Sequence, residues 1–440
     1  MNLPAKKNFV ARFYTRPGWQ VPVLLVAIGL LYFPTIHFGL TQFDDSFFKE
    51  QSAEWIKNQR PWMQVFSQTA FEGNFGNSDS YYRPLLNLSF YMDEAVGKSS
   101  LQFFHLTNLL LHSCSVIVLL MLYRQLGVSA VISFWLTLIF ALHPALLQAV
   151  AWIPGRNDSM LSLFAMGSML TLLLFRKKNH PAWLLLHLLL FNLSLFTKET
   201  AVFLPLLFIL CWFLPGYRSN RNLFLLAATG WVLLTGLFLL IRASVSSQLL
   251  GMPLVYSAQH FLSNLPALLV YTGKILLPFD LSVFPTLNNS RLIFGVITVL
   301  IAAAAIGFTK EKNRMALALG TTWWLVFLLP ALLRASTDYE SYFLEHRLYF
   351  PMAGFLFLLS QTGAIKKWME ETTASWILRA LVVTALAIIS WHHLENFRDE
   401  FHYWTNAVKT SPNASFARRA LGNYYFAQGD ANNAQLQYAM

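Results

Sequence analysis

Apolar runs of roughly 16 to 23 residues recur along the 440-residue chain, separated by short polar breaks. One bilayer-crossing helix needs about 20 apolar residues. The pattern therefore predicts eleven spans, near 18–40, 102–123, 128–146, 158–175, 182–197, 199–214, 223–242, 291–308, 316–333, 348–364 and 375–391. The first follows Lys6, Lys7, Arg12 and Arg16 and lacks the small-residue cleavage pattern of a secretory leader, so we expect it to be retained. Residues 261–279 are nearly apolar enough to cross but carry Asn264, Pro266, Gly273 and Lys274. A helix lying in the interface suits them better.

Loop composition orients the bundle. Breaks at Arg176-Lys177-Lys178, Arg218 to Arg221, Lys310 to Arg314 and Lys366-Lys367 concentrate cations, which the positive-inside rule assigns to the cytoplasm together with the basic start. The loop 41–101 then lies outside, and its mixture of Trp, Phe and Tyr with Asn, Ser and Asp predicts short helices packed over the outer mouth. From residue 392 the chain turns hydrophilic. There Leu421-Gly422, Tyr425, Gly429, Ala434 and Tyr438, with Trp404, Ala407 and Pro412 one register earlier, match tetratricopeptide spacing. The expected domains are a membrane unit, 1–391, and tetratricopeptide-like helices, 392–440, whose array is expected to be truncated at Met440.

Composition agrees with an all-α polytopic membrane protein: 56% of residues are hydrophobic and 12% charged, against about 25% charged in soluble domains. The net charge of +11 sits in the loop breaks rather than on one amphipathic face, so nucleic acid is not the expected partner. Cys114 and Cys211 lie in apolar runs and support neither a disulfide framework nor a zinc site. Adjacent His392-His393 diverge on a helix, which disfavours a metal role.

The remaining ionisable clusters all map to the side opposite the basic breaks. Such groups at a membrane boundary are costly and usually functional. Asp44-Asp45 follows the first span beside aromatic residues, where desolvation raises proton affinity and suits a general base; the alternative is a cap for a helix beginning at Ser46. Tyr82-Arg83 offers a guanidinium for phosphate or for bracing the loop. A short loop brings His143 near Arg156, with Asp158 assigned first to helix capping. Lys198-Glu199 is either an ion pair sealing its turn or a lysine held by Glu199 toward an anion. Glu345-His346-Arg347 stands at the outer entrance to the tenth span, at lipid-phosphate depth. No phosphate loop, nucleophile elbow or dinucleotide fingerprint occurs.

The motif order Phe43-Asp44-Asp45, Tyr82-Arg83-Pro84-Leu85, Phe104 to Asn108, Ala141-Leu142-His143-Pro144, Ala151 to Asp158, Lys198-Glu199-Thr200 and Glu345 to Tyr349, followed by the repeat-like tail, resembles the transmembrane-and-tetratricopeptide O-mannosyltransferases and their bacterial relatives. These belong to the GT-C class. The resemblance covers nearly the whole chain and implies a GT-C fold with an extracytoplasmic site that uses a polyprenyl- or dolichyl-phosphate sugar donor and a protein or glycan acceptor among membrane lipids. It implies that Asp44 is the general base, with Asp45 in place of the glutamate of many relatives. Arg347, His346, Lys198, Arg156 and Arg83 would then serve the donor phosphate, supported by Glu199, His143, Glu345 and Tyr82. No cofactor is required; a divalent cation, held by Asp44 and Asp45, stays open. The compartment implied is the bacterial inner membrane with a periplasmic site, or the endoplasmic reticulum in a eukaryote. Two other classes compete: a lipid or solute transporter, expected to carry polar groups at mid-membrane, and a membrane anchor whose tail recruits partners.

Overall fold

A computed structural model describes residues 17–71, 81–216, 220–246, 254–333, 342–370 and 372–440. Lys6, Lys7, Arg12, Arg16 and Arg218, invoked above for orientation, lie outside them. Among the described residues the secondary structure is helical, with a single antiparallel bridge between Thr286 and Tyr342.

The longest apolar runs become the longest helices because a backbone withdrawn from water satisfies its own hydrogen bonds only as helix or closed barrel. In chain order the helices begin with α1 (Pro17–Tyr32), which continues as a 3-10 turn, then α2 (Asp45–Lys57), α3 (Pro84–Gly97), α4 (Leu101–Gln125), α5 (Ala130–Ala141), α6 (Arg156–Lys178), α7 (Pro181–Thr197), α8 (Leu204–Trp212) and α9 (Arg221–Val245). The chain continues through α10 (Leu254–Asn264), α11 (Ala267–Leu276), α12 (Leu292–Gly307), α13 (Arg314–Val326), α14 (Tyr349–Ser360) and α15 (Thr373–Leu394) to the tail helices α16 (Glu400–Thr410), α17 (Ser415–Ala427) and α18 (Ala431–Ala439). Each expected span falls on a helical segment. Six described segments are long and apolar enough to cross a membrane, or seven when a bent pair is counted as one span.

The bent pair is α5 with Pro144–Ala151, which meet at 59°. A continuous helix across 128–146 was expected, but Pro144 cannot donate into the turn before it and the chain breaks at Leu142-His143. The loop 41–101 holds α2, α3 and the turn Trp62–Ser67. Residues 261–279 differ from the single helix expected. Pro266 splits them, and α11 packs lengthwise on α12 through Gly273 and Gly295. A Cβ on Gly295 would stand 2.1 Å from the Leu269 carbonyl oxygen, so only glycine permits this approach.

Burial sorts the bundle. Every residue of α14 is buried, as expected of a helix apolar on all sides at the centre. In α9, by contrast, Val232, Leu233 and Leu240 are exposed, forming an apolar outer face suited to lipid. The tail is docked. Gly39 donates to the Arg398 carbonyl, and Ser411 Oγ to the Phe284 carbonyl at 2.7 Å. In the hairpin α17–α18, Gly422 admits the Tyr438 ring.

Candidate active site

Asp44 occupies the residue before α2 with φ of 65°, a left-handed conformation uncommon for a residue with a side chain. Its side chain makes no capping bond to α2 and is partly exposed. Asp45, the first residue of α2 rather than part of a cap before Ser46, is buried. Its carboxylate accepts from Thr41 N at 2.6 Å, Thr41 Oγ1 at 2.8 Å, Phe43 N at 3.2 Å and Ser46 N at 2.9 Å. Burial nevertheless pushes its pKa up to about 6, outweighing the donors from Thr41 and Ser46. Asp45 knots the turn that presents Asp44.

A second group gathers around Lys198. Its Nζ pairs with Asp158, not with adjacent Glu199, at 2.8 and 2.7 Å to the two oxygens. Glu199 instead accepts from Arg83 Nε at 3.0 Å and from Tyr82 N at 2.9 Å. The extended backbone at Lys198, ψ 135°, turns the two neighbours toward different partners. Asp158, first assigned to capping, thereby joins the Lys198 cluster from the first turn of α6. Burial lowers the Lys198 pKa, Asp158 opposes that, and Arg83 and Arg347 press it further down.

Arg347 is partly exposed and donates to the Tyr342 carbonyl at 3.5 Å. Tyr271, Tyr81 and Tyr342 surround it, and among the described residues no carboxylate stands within ion-pair distance. Tyr81 also lies under the Arg83 guanidinium, 4.4 Å from ring centroid to carbon. His346 Nε2 stands 3.7 Å from the Asp158 carboxylate, while its backbone N and Nδ1 meet Gln148 Oε1 at 3.1 and 3.3 Å. Glu345 is fully buried against Lys274 at 2.6 Å and accepts from Ser282 N at 2.9 Å. Burial alone would raise its pKa, but Lys274 and His393 hold it below the ordinary carboxylate value.

One expected phosphate ligand, Arg156, and one expected supporting residue, His143, are engaged in packing. Arg156 is wholly buried and meets Asp93, Asn108 Oδ1 at 2.7 Å, the Phe104 carbonyl at 2.6 Å and Ser89 at 3.3 Å. Its guanidinium ties α3 and α4 to α6 and has no face left for a donor phosphate. His143 is likewise buried, with Nε2 against the Ile275 carbonyl at 3.0 Å and Nδ1 accepting from Ala145 N. It joins the α5 bend to α11. Arg156 therefore does not take the phosphate-binding role that the resemblance implies, and His143 supports only the packing of the bend.

The two halves meet across aromatic rings. Phe43 stacks on Trp152 at 5.5 Å and 16°, Trp152 lies 5.3 Å from His346, and Tyr342 lies 6.0 Å from Phe43. The residues that precede Asp44 and Arg347, Phe43 and His346, are thus linked through the Trp152 ring. Sequence reasoning missed Lys274, taken only as evidence against a span, and Gln148. A lysine alone in an apolar helix with a glutamate elsewhere in an apolar setting was the available signal for the first. Among the described residues no three His, Cys, Asp or Glu side chains converge as a metal set, and Asp44 and Asp45 point to different tasks.

The sequence and the fold have relatives. No protein-family model matches the chain. A protein O-mannosyl-transferase of Caenorhabditis elegans is 22% identical over 402 residues, covering 87% of this chain and 57% of the relative. Protein O-mannosyl-transferase TMTC2 of Mus musculus is 34% identical over 114 residues, 26% of this chain and 14% of the relative. The crystal structure of ArnT from Cupriavidus metallidurans bound to undecaprenyl phosphate superposes with a TM-score of 0.50 at 12% identity, covering 96% of this chain and 75% of that one. The chain thus spans little more than half the length of the Caenorhabditis elegans relative and a smaller share of the mouse one.

Proposed function

From a chain with a GT-C fold and sequence kinship to the protein O-mannosyl-transferases, we propose an inverting glycosyltransferase. It moves a sugar from a polyprenyl-phosphate donor to an acceptor hydroxyl, with protein Ser or Thr as the favoured acceptor. The observation that carries this reading is a cationic cluster. Arg83, Lys198 and Arg347 face two carboxylates, Glu199 and Asp158, leaving one positive charge beside partly exposed Arg347. A phosphate at a membrane boundary supplies the missing anion.

The chemistry needs no further group. The acceptor hydroxyl oxygen attacks the anomeric carbon opposite the phosphate, and Asp44 takes the hydroxyl proton as that bond forms. The bond from anomeric carbon to phosphate oxygen breaks with its electron pair on the departing polyprenyl phosphate. Arg347, with Lys198 and Arg83, stabilises that charge. Asp45 holds the turn, and single displacement gives inversion. We place this site on the extracytoplasmic side of an eleven-span bundle, opposite the basic breaks, with the tail helices as the opening of a tetratricopeptide array that presents extended peptide. In bacteria that membrane would be the inner one.

The purified protein is assayed with radiolabelled polyprenyl-phosphate mannose and a Ser/Thr-rich peptide, followed by mass spectrometry of glycans lost on gene deletion. Asp44→Asn is expected to lower transfer at least 100-fold, near the lower bound for a positioned base, while undecaprenyl phosphate still binds. Full transfer by Asp44→Asn would remove the assigned base, and an unchanged glycan profile would favour a transporter.

A further inference from the structure

Asp44 has no regular helix around its backbone to fix it, yet its neighbour Phe43 is held from every side. Phe43 N donates to Asp45 and its carbonyl accepts from Trp152 Nε1 at 2.9 Å. Left-handed backbone at Gln42 and Asp44 brackets the residue on both sides. Three rings of the membrane unit reach the Phe43 ring, and so do three of the tail: Tyr403 at 5.9 Å, Trp404 at 5.6 Å and Phe416 at 6.0 Å.

The tail is bolted where it does this. Tyr403 Oη donates to the Val283 carbonyl at 3.1 Å, Asn406 Oδ1 accepts from Val283 N at 3.2 Å, and Thr410 meets Ser282 at 2.6 Å. The same Val283 carbonyl accepts from Gln148, whose oxygen holds His346. One end of the α16 contact therefore reaches the turn of Asp44, the other the residue before Arg347. Left-handed backbone at non-glycine residues persists only where surrounding contacts over-determine it.

We propose that Trp404 and Phe416 are positioning residues for Asp44: the first helices of the tail form a wall of the catalytic unit and, through the Phe43 ring, set the direction of the Asp44 carboxylate. The tail is then more than an appended acceptor-binding module. The inference rests on the assignment of Asp44 as base, but its structural half stands apart from that assignment.

The test uses the full chain in lipid nanodiscs, with Trp404→Leu, Trp404→Phe and Phe416→Leu, and Phe426→Ala at an exposed ring of the same tail as control. Amide hydrogen exchange reports local opening directly. Trp404→Leu and Phe416→Leu are expected to speed exchange at Phe43 to Ser46 by tenfold or more, leaving Arg83 to Leu86 unchanged, with Trp404→Phe close to wild type. In transfer, the same leucine variants should lose kcat about 10- to 100-fold, the scale of a small misplacement of a reacting group, with undecaprenyl phosphate affinity within twofold and partial recovery in Trp404→Phe. Unchanged exchange at Phe43 to Ser46 in a folded Trp404→Leu variant overturns the proposal, as does equal loss of donor binding and kcat. A wild type that transfers no sugar would sink the functional reading instead, while the exchange result still decides the positioning.

Discussion

Lys198 Nζ stands 2.8 and 2.7 Å from the two carboxylate oxygens of Asp158, so two helix ends, those of α7 and α6, are joined by one ion pair beside Arg83 and Arg347. The pair is nearly buried, with side-chain exposures of 12% and 4%. At that depth either charge left alone is costly. Asp158 also balances the repulsion that Arg83 and Arg347 exert on Lys198.

Asp158→Asn should therefore lower stability by about 3 kcal/mol, the order expected when one partner of a buried pair is removed. Adding Lys198→Met should restore most of that stability, because both charges then leave together. Transfer should not return, since the phosphate loses a cation. Thermal unfolding in detergent and the transfer assay separate the two effects. Recovery of both would show Lys198 to be structural.

Arg156 and Arg347 are both arginines of the expected phosphate set, and the structure gives them opposite fates. Arg156→Leu removes a buried guanidinium and strands Asp93, with an expected loss of about 3–5 kcal/mol and poor yield of folded protein. Arg347→Leu removes a partly exposed side chain that meets the Tyr342 carbonyl at 3.5 Å and the Tyr271 side chain but pairs with no carboxylate among the described residues. Its fold should survive while undecaprenyl phosphate affinity drops roughly tenfold or more, the loss of a charge-assisted bond worth about 1.5–3 kcal/mol. Unfolding midpoints and lipid-phosphate binding on both variants distinguish the roles.

Asp45 titrates higher in the folded chain, at about 6, than its ordinary value of 3.8. The folded state consequently binds more protons than the unfolded one between these values. Stability from this group is full below pH 4 and falls as pH rises through about 6. The shift of roughly two units corresponds to an upper bound near 3 kcal/mol. Asp45→Asn carries a constant offset from its altered hydrogen bonding but no titration. The stability difference between wild type and variant should hence drift against wild type from pH 4 to 7. A flat difference would mean that Asp45 stays ionised throughout.

Helix positions were legible because ten or more consecutive apolar residues leave the backbone few alternatives, and the ionisable residues of the proposed site stood out in sequence at span ends. Partner choice was not. Lys198 and Glu199 are adjacent, yet extended backbone sends one to Asp158 and the other to Arg83. Arg156 has the composition of a phosphate ligand, but Asp93, Asn108 and Ser89 arrive from helices 48 to 67 residues away, and only packing reveals them. Lys274 was dismissed as a topology marker because its counter-charge, Glu345, lies 71 residues on.

Gly295 offers a way to move that last pair without touching it. The α11–α12 contact admits no Cβ there: it would meet the Leu269 carbonyl oxygen at 2.1 Å and its carbonyl carbon at 2.5 Å, both rigid backbone atoms. Gly295→Ala must push α11 outward. Overpacking of this kind costs about 1–3 kcal/mol, and α11 carries Lys274, whose ion pair seats Glu345 two residues before Arg347. We expect lower stability together with weaker undecaprenyl phosphate binding. Gly307 lies on the same helix with open space around it, so Gly307→Ala should be neutral or stabilising by up to about 1 kcal/mol from helix propensity. If Gly295→Ala destabilises the protein but leaves lipid-phosphate affinity at the Gly307→Ala level, the path from helix packing through Lys274 and Glu345 to Arg347 is broken at its last step.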